Sequence, residues 1–199
     1  MEISQIRKNK VIARAMLYAV VFFSAKVAHT QDEYFVVTPK GIRNGTDTSR
    51  SYIILPIDSS ATYLYSTSVK YIQETFKNPD QVIKARIENE YLRYEAYEKN
   101  IMQFQIKKQT YPINASYTVE MRFKDGKLMI GLLDVKLVAS NDVPVYWVKT
   151  GNTMRGWSRQ HIYDTDGSIE HMNEKNGIED YFNGEVKKIK DYLLTKEKW

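Results

Sequence analysis

An Asp-Gly pair between two strand-like runs is the feature that most restricts the fold of this chain. Residues 117–123 alternate apolar and polar side chains, Asp125 and Gly126 follow shortly after, and residues 128–138 continue with strand-forming residues. Two residues that tolerate positive φ, placed between such runs, predict a tight β-hairpin. The chain therefore contains antiparallel sheet, and its other segments have to pack against that sheet.

Two amphipathic helices are predicted, one before most of the strands and one after them. Residues 60–77 carry apolar side chains at helical spacing, follow the capping segment Asp58–Ser60 and end at Asn78-Pro79. A longer helix, roughly residues 177–197, is predicted by an apolar stripe at spacings of three and four. The stripe consists of Ile178, Phe182, Val186, Ile189 and Leu193.

Strand-like segments lie before and between the two helices. Tyr52–Ile57 has the length and apolar character of a strand, and the period of two returns over residues 81–88, 91–97 and 101–107. Residues 140–170 are rich in turn residues and show no clear period. The order of strand, helix, several antiparallel strands and helix predicts an α+β fold, with two helices on one face of a curved antiparallel sheet.

The first 30 residues have the order of a secretory signal. A basic segment ending at Arg14 precedes an apolar run of 11 residues, Ala15–Ala25, which is too short to span a bilayer as a helix. We predict cleavage after Thr30, so that no stable transmembrane span remains. The alternatives are an uncleaved segment that acts as an anchor and an amphipathic or buried N-terminal helix.

The rest of the chain is predicted to form one domain. Residues 31–50, with a short strand at 34–37 followed by turn-forming residues, are interpreted as a flexible lead-in. Residues 51–199 then form a single α+β domain. The chain contains no cysteine, which excludes a lipoprotein, disulfides and thiolate catalysis. The periplasm is the favoured location, ahead of the cell surface or the medium.

The positive charge of the chain belongs mostly to the signal segment. Residues 1–30 hold five of the 29 basic residues and one of the 24 acidic residues, so the formal charge falls from +5 to +1 without them. A domain without a basic excess lacks the electrostatic footprint of proteins that bind phosphate backbones. We therefore expect no nucleic acid among its partners.

Three segments resemble a known family. Residues 52–77, Asn78–Ile83 and the run from Tyr117 into Lys127 are similar to uncharacterised exported proteins of Bacteroides and relatives. Those proteins carry a domain of unknown function with a TATA-binding-protein-like (TBP-like) fold. The resemblance covers roughly residues 50–140 and implies a β-α-β-sheet-α architecture. It implies no activity, because none is established for that family, and the name of the fold does not carry DNA binding with it.

One cluster in the turn-rich segment suggests a binding site. Aromatic rings beside guanidinium groups can stack on sugars or other planar ligands. The alternative is that the two tryptophans pin the long connection onto the sheet. The candidate contact residues are Tyr146, Trp147, Arg155, Trp157 and Arg159.

No catalytic, cofactor or metal site is predicted. The segment Asp164–Glu170 places its glycine and glutamate at the wrong positions for an EF-hand calcium loop, which favours a turn. His161 and His171 lack the spacing of a zinc helix and are interpreted as polar surface residues. Single acids such as Glu120 and Asp134 are candidate general bases that no other motif supports.

These observations favour a noncatalytic binding module of the bacterial envelope, with an envelope protein or a small ligand as its partner. In this hypothesis the open face of the sheet carries the interaction. A second hypothesis is a carrier of apolar ligands such as lipids, in which the stripe from Ile178 to Leu193 lines a cavity. A third and weaker hypothesis is a hydrolase that uses carboxylates.

Overall fold

Nine strands and three helices lie in the part of the chain that the computed structural model describes, which comprises residues 32–106, 108–140, 142–150 and 160–195. The predicted signal segment, residues 1–30, lies outside this part. The elements are β1 (Phe35–Thr38), β2 (Gly41–Asn44), β3 (Tyr52–Pro56), α1 (Ala61–Thr75), α2 (Pro79–Val82), β4 (Ile83–Ile87), β5 (Tyr91–Ile106), β6 (Gln109–Lys124), β7 (Lys127–Ala139), β8 (Pro144–Val148), β9 (Gln160–Tyr163) and α3 (Met172–Thr195).

The main sheet is built around the long strands β5, β6 and β7. Its order is β4-β5-β6-β7-β8-β9, and β3 pairs with the first part of β7 while β8 pairs with the last part. All described neighbours are antiparallel except β8 and β9, which are parallel. The edge strand β4 is only five residues long and carries Lys84 and Arg86, two features that discourage further strand addition.

Alternation along the central strands decides which face of the sheet is buried. Tyr94, Tyr117 and Phe123 point to the same face and are at most 6% exposed. Helix α1 packs on this face, because the rings of Tyr65 and Phe123 lie 5.5 Å apart and those of Phe76 and Tyr94 lie 5.7 Å apart. The core therefore lies between the helices and one side of the sheet.

Helix α3 buries the predicted stripe against the same face. All five stripe residues are at most 8% exposed, and the ring of Phe182 lies 5.1 Å from that of Tyr117. The helix begins at Met172, five residues before the predicted start near 177, and ends at Thr195. The predicted α+β class, with two helices on one face of a mostly antiparallel sheet, is confirmed.

The predicted hairpin joins β6 to β7 through Asp125 and Gly126. Lys124 and Lys127 face each other across the turn, and only Gly126 of the two turn residues has a positive φ, of 78°. The Oδ1 atom of Asp125 accepts the backbone N–H of Ala61 at 2.8 Å. The hairpin turn thus also helps to cap the start of α1, beside the capping residue Ser60.

Residues 32–50 differ from the predicted flexible lead-in, although its short strand at 34–37 is present as β1. They contain the hairpin β1–β2, whose Phe35 and Val37 are at most 2% exposed. Helix α3 holds this hairpin by side chains: Asn183 accepts the N–H of Phe35 and donates to its carbonyl, and Glu179 accepts the N–H of Val37. These partners lie more than 140 residues away in the chain, which explains why local sequence suggests a loop.

Two further strand boundaries differ from the prediction. Within the described residues, the segments predicted at 91–97 and 101–107 belong to one strand, β5, which extends to Ile106 and has an irregularity between Glu98 and Met102 where Asn100 has φ 55°. The turn-rich segment after residue 140 contains β8 and β9. Within the described residues, neither long helix has the length and apolar composition needed to cross a membrane.

Candidate functional site

The face of the sheet opposite α1 and α3 is the main candidate site, and we call it the open face. It is formed by the side chains of β3 to β7 that alternate with the core positions. The strand registers place cross-strand neighbours there, such as Tyr91 beside Arg122 and Arg122 beside Met129. The residues used below to describe the open face are Tyr52, Ile54, Tyr91, Arg93, Glu95, Glu120, Arg122, Lys124, Lys127 and Met129.

One depression of the open face combines an apolar centre with a basic rim. We define the apolar centre as Tyr52, Ile54 and Met129, which are all half-buried. We define the basic rim as Arg122, Lys124 and Lys127, which are all exposed. These six residues line the same depression.

The basic rim is held in place by an aromatic neighbour. The guanidinium of Arg122 lies over the ring of Tyr91 at 5.3 Å, a cation–π contact that orients the cation. The hydroxyl of Tyr91 donates to Glu120 at 2.5 Å. Burial, together with this hydrogen bond, raises the pKa of Tyr91 above its ordinary value, so the residue remains a neutral donor.

Two lysines face each other at the edge of this depression. Lys124 and Lys127 are direct cross-strand partners, and like charges at such positions destabilise a hairpin. Neither lysine forms an ion pair with a described residue. Two unneutralised cations beside an apolar surface therefore form a place where an anionic group of a partner would be stabilised.

The acids of the open face are already engaged with neighbouring groups. Glu95 lies 3.3 Å from Lys84, Asp134 lies 3.9 Å from Arg93, and Glu120 accepts the Tyr91 hydroxyl. Asp134 is 72% exposed at its side chain, so water solvates it well. Of the two candidate general bases, Glu120 is thus bonded to the Tyr91 hydroxyl and Asp134 lies beside Arg93.

The cluster predicted from the turn-rich segment is described only in part. Tyr146 and Trp147 lie on β8, whereas Arg155, Trp157 and Arg159 lie outside the described residues. Tyr146 is 37% exposed and pairs in register with His161. The grouping of all five residues into one contact site stays a prediction.

Trp147 has a packing role in the structure. Its indole lies against the turn of the β1–β2 hairpin, where Gly41 has φ 93° and an added Cβ would sit 3.5 Å from the indole Nε1. The ring is partly buried against the core. This contact agrees with the alternative prediction for Trp147, in which the ring packs the long turn-rich connection against the rest of the fold.

Comparisons with known proteins yield two structural likenesses. No family model matches the sequence, and no curated protein matches it. The crystal structure of a DUF4468 family protein from Bacteroides ovatus is similar, with a TM-score of 0.45 and 11% identity, over 71% of this chain and 83% of that one. A TBP-like protein from Parabacteroides distasonis is similar with a TM-score of 0.45 and 9% identity, over 72% and 90% of the two chains. One of the two is a Bacteroides protein with a domain of unknown function and the other is a TBP-like protein, as the resemblance of the sequence implies.

Proposed function

We propose that this chain is a noncatalytic, exported module of the bacterial envelope that binds an acidic, partly apolar segment of another protein on its open face. The observation that carries the proposal is the depression in which the basic rim lies beside the apolar centre. An apolar centre supplies most of the free energy of such contacts, and charges at the rim select the partner.

The positive charges of the basic rim favour an acidic partner. Each acid of the open face has a cationic or phenolic neighbour, whereas Lys124 and Lys127 have no described carboxylate within ion-pair distance. A partner carboxylate near them would relieve the repulsion between the two lysines. A basic partner would increase that repulsion and desolvate the cations without compensation.

A protein segment suits this surface better than nucleic acid. Binding to a phosphate backbone needs many cations along one path, and the chain beyond residue 30 has a formal charge of only +1. The apolar side chains of Ile54 and Met129 line the depression, where they match apolar side chains of a peptide.

The carrier hypothesis has less support. In it, the stripe from Ile178 to Leu193 would line a ligand cavity. Each stripe residue is at most 8% exposed and belongs to the core cluster, and Phe182 packs against the rings of Tyr117 and Tyr181. Side chains that contact one another in this way fill a core.

Export rests on the sequence of the first 30 residues. The basic segment, the apolar run of 11 residues and the following Ala28-His29-Thr30 have the order of a secretory signal. We place the mature domain in the periplasm, with residue 31 as its first residue. The domain has no cysteine, so its stability rests on its core and not on disulfides. Such a domain is compatible with both a reducing and an oxidising compartment.

Binding of a designed peptide tests the open face. The probe is a short fluorescent peptide with a central Phe-Leu-Phe flanked by glutamates. The control peptide is identical except that lysines replace the glutamates. We expect the acidic peptide to bind with a Kd on the order of 10 µM and the basic one at least tenfold more weakly. Fluorescence anisotropy measures both, and binding of the acidic peptide should weaken with added salt.

Charge reversal on the basic rim supplies the matched control. The double variant Lys124→Glu/Lys127→Glu should weaken binding of the acidic peptide at least tenfold, because it replaces both free cations by anions. Lys70→Glu changes an exposed lysine of α1, on the helical side, and should bind like the unmodified chain. Equal binding of the two peptides, or equal effects of the rim and α1 variants, would refute the proposal.

A further inference from the structure

Two histidines and a glutamate meet at the start of α3, on the described part of the chain and away from the basic rim. His161 lies on β9, Glu170 and His171 directly precede α3, and one potential ligand atom of each lies within 4.8 Å of the others. From this geometry we propose that His161, Glu170 and His171 bind a divalent transition-metal ion such as Zn²⁺. The proposal does not depend on the function assigned to the open face.

The backbone brings the three residues together. The chain reverses after Tyr163, where the N–H of Asp164 donates to the carbonyl of Ser168 at 2.9 Å. The N–H groups of Glu170 and His171 both donate to the carbonyl of Ile162, at 3.0 and 3.2 Å. The turn therefore returns the chain to β9 and holds two potential ligands beside the third before any ion binds.

The distances suit a small ion after modest side-chain movement. The Nε2 atom of His161 lies 2.5 Å from the Oε2 atom of Glu170, and the two imidazole rings lie edge to face at 5.8 Å. Ligand atoms bound to Zn²⁺ at about 2.0–2.2 Å in a tetrahedron are about 3.4 Å apart. An ion between the three groups would replace the contact of His161 with Glu170 by two bonds to the metal.

Burial and neighbouring groups orient the imidazoles. His161 is 7% exposed, contrary to the prediction of a surface histidine, and the ring of His171 packs on Phe104 at 4.8 Å. The buried carboxylate of Glu174 lies 3.8 Å from the Nδ1 atom of His171 and accepts the N–H of Gln105. This separation is longer than a hydrogen bond, and a small side-chain shift would bring the carboxylate to the imidazole in the arrangement that holds metal-binding histidines in place.

The chemistry of the ligands favours a transition metal over calcium or magnesium. Imidazole nitrogens suit Zn²⁺, Cu²⁺ and Ni²⁺, whereas Ca²⁺ and Mg²⁺ prefer oxygen ligands. Glu170 adds a carboxylate oxygen, which Zn²⁺ also accepts as a ligand. The side chain of Glu170 is 42% exposed, which leaves room for water at a fourth position.

A lysine beside the cluster provides a test that distinguishes metal binding from anion binding. The Nζ atom of Lys149 lies 3.8 Å from Oε2 of Glu170 and 3.5 Å from Oδ2 of Asp164. This ammonium competes with a metal ion for the Glu170 carboxylate. Removing its charge should therefore raise the affinity for the metal, whereas it would lower the affinity for an anion.

Calorimetric titration with ZnCl₂ tests the site. The sample is the full chain without a histidine tag, first treated with chelator and then dialysed. We expect one Zn²⁺ per chain with a Kd on the order of 1 µM, and a loss of affinity of at least tenfold in Glu170→Gln and in His171→Gln. Lys149→Met should bind several-fold more tightly than the unmodified chain.

The third histidine of the chain provides the control. His29 lies in the signal segment, and His29→Gln should leave zinc binding unchanged. Glu170→Gln alters an exposed side chain, so its result remains interpretable if a histidine variant fails to fold. The proposal is wrong if Zn²⁺ binds more weakly than a Kd of about 100 µM, or if Glu170→Gln binds it as tightly as the unmodified chain.

Discussion

Phe182→Ala is expected to lower the free energy of unfolding by about 3–5 kcal/mol. Phe182 is 1% exposed and lies at the centre of the contact between α3 and the sheet, with its ring 5.1 Å from Tyr117 and 5.0 Å from Tyr181. Alanine would leave a cavity that these rings cannot close. Since domains of this kind have a stability of about 5–15 kcal/mol, the variant loses a large part of it.

Urea denaturation followed by circular dichroism measures this loss. Leu194→Ala is the matched control, because Leu194 lies on the same helix but is 42% exposed, and it should change the stability by less than about 0.5 kcal/mol. A loss below about 1 kcal/mol for Phe182→Ala would mean that α3 does not pack on the sheet through this residue.

Asn44→Asp is expected to cost about 2–4 kcal/mol at neutral pH, although the two side chains have nearly the same shape. The Asn44 side chain is fully buried. Its Nδ2 donates to Glu33 at 2.9 Å and to the carbonyl of Tyr52 at 3.0 Å. Aspartate cannot donate there when ionised, and it would place a second carboxylate against Glu33.

A second substitution separates the two causes of this loss. Adding Glu33→Gln to Asn44→Asp removes one of the two facing carboxylates and should restore part of the stability. Asn78→Asp changes an exposed asparagine whose side chain makes no capping bond, and it should have an effect below about 0.5 kcal/mol. Equal stabilities of Asn44→Asp and Asn78→Asp in urea would contradict the described hydrogen bonds.

The elements that sequence predicts well are those with local signals. Each of these signals lies within a few residues of the element that it predicts. Examples are the Asp125-Gly126 turn, the cap at Ser60 and the apolar stripe on α3. The strand at 34–37 is predicted, but its pairing with β2 is not, because Asn183 and Glu179 complete the hydrogen bonds of β1 from the far end of the chain. The sequence of that segment is rich in turn residues, whereas its structure depends on hydrogen bonds to residues that are distant in the chain.

The sites differ in how far sequence could have revealed them. The open face follows from alternation, since Tyr91, Arg93 and Glu95 occupy every second position of β5. The register of β6 with β7 follows from the two-residue turn, but sequence does not supply the pairing of β7 with β3, which brings Tyr52 and Ile54 beside the basic rim. The cluster of His161 with Glu170 escapes pattern analysis because a turn, rather than a regular helical or strand spacing, brings the residues together.

The most direct test of the central claim is photo-crosslinking in bacterial cells that produce the chain. A photoreactive amino acid replaces Met129 in the apolar centre, or Leu194 on the exposed side of α3 as the control. Mass spectrometry then identifies the crosslinked protein and the attached segment. The account predicts a periplasmic product that begins at residue 31 and joins Met129, but not Leu194, to an acidic segment of an envelope protein. A chain that stays in the cytoplasm, or equal crosslinking from both positions, would contradict it.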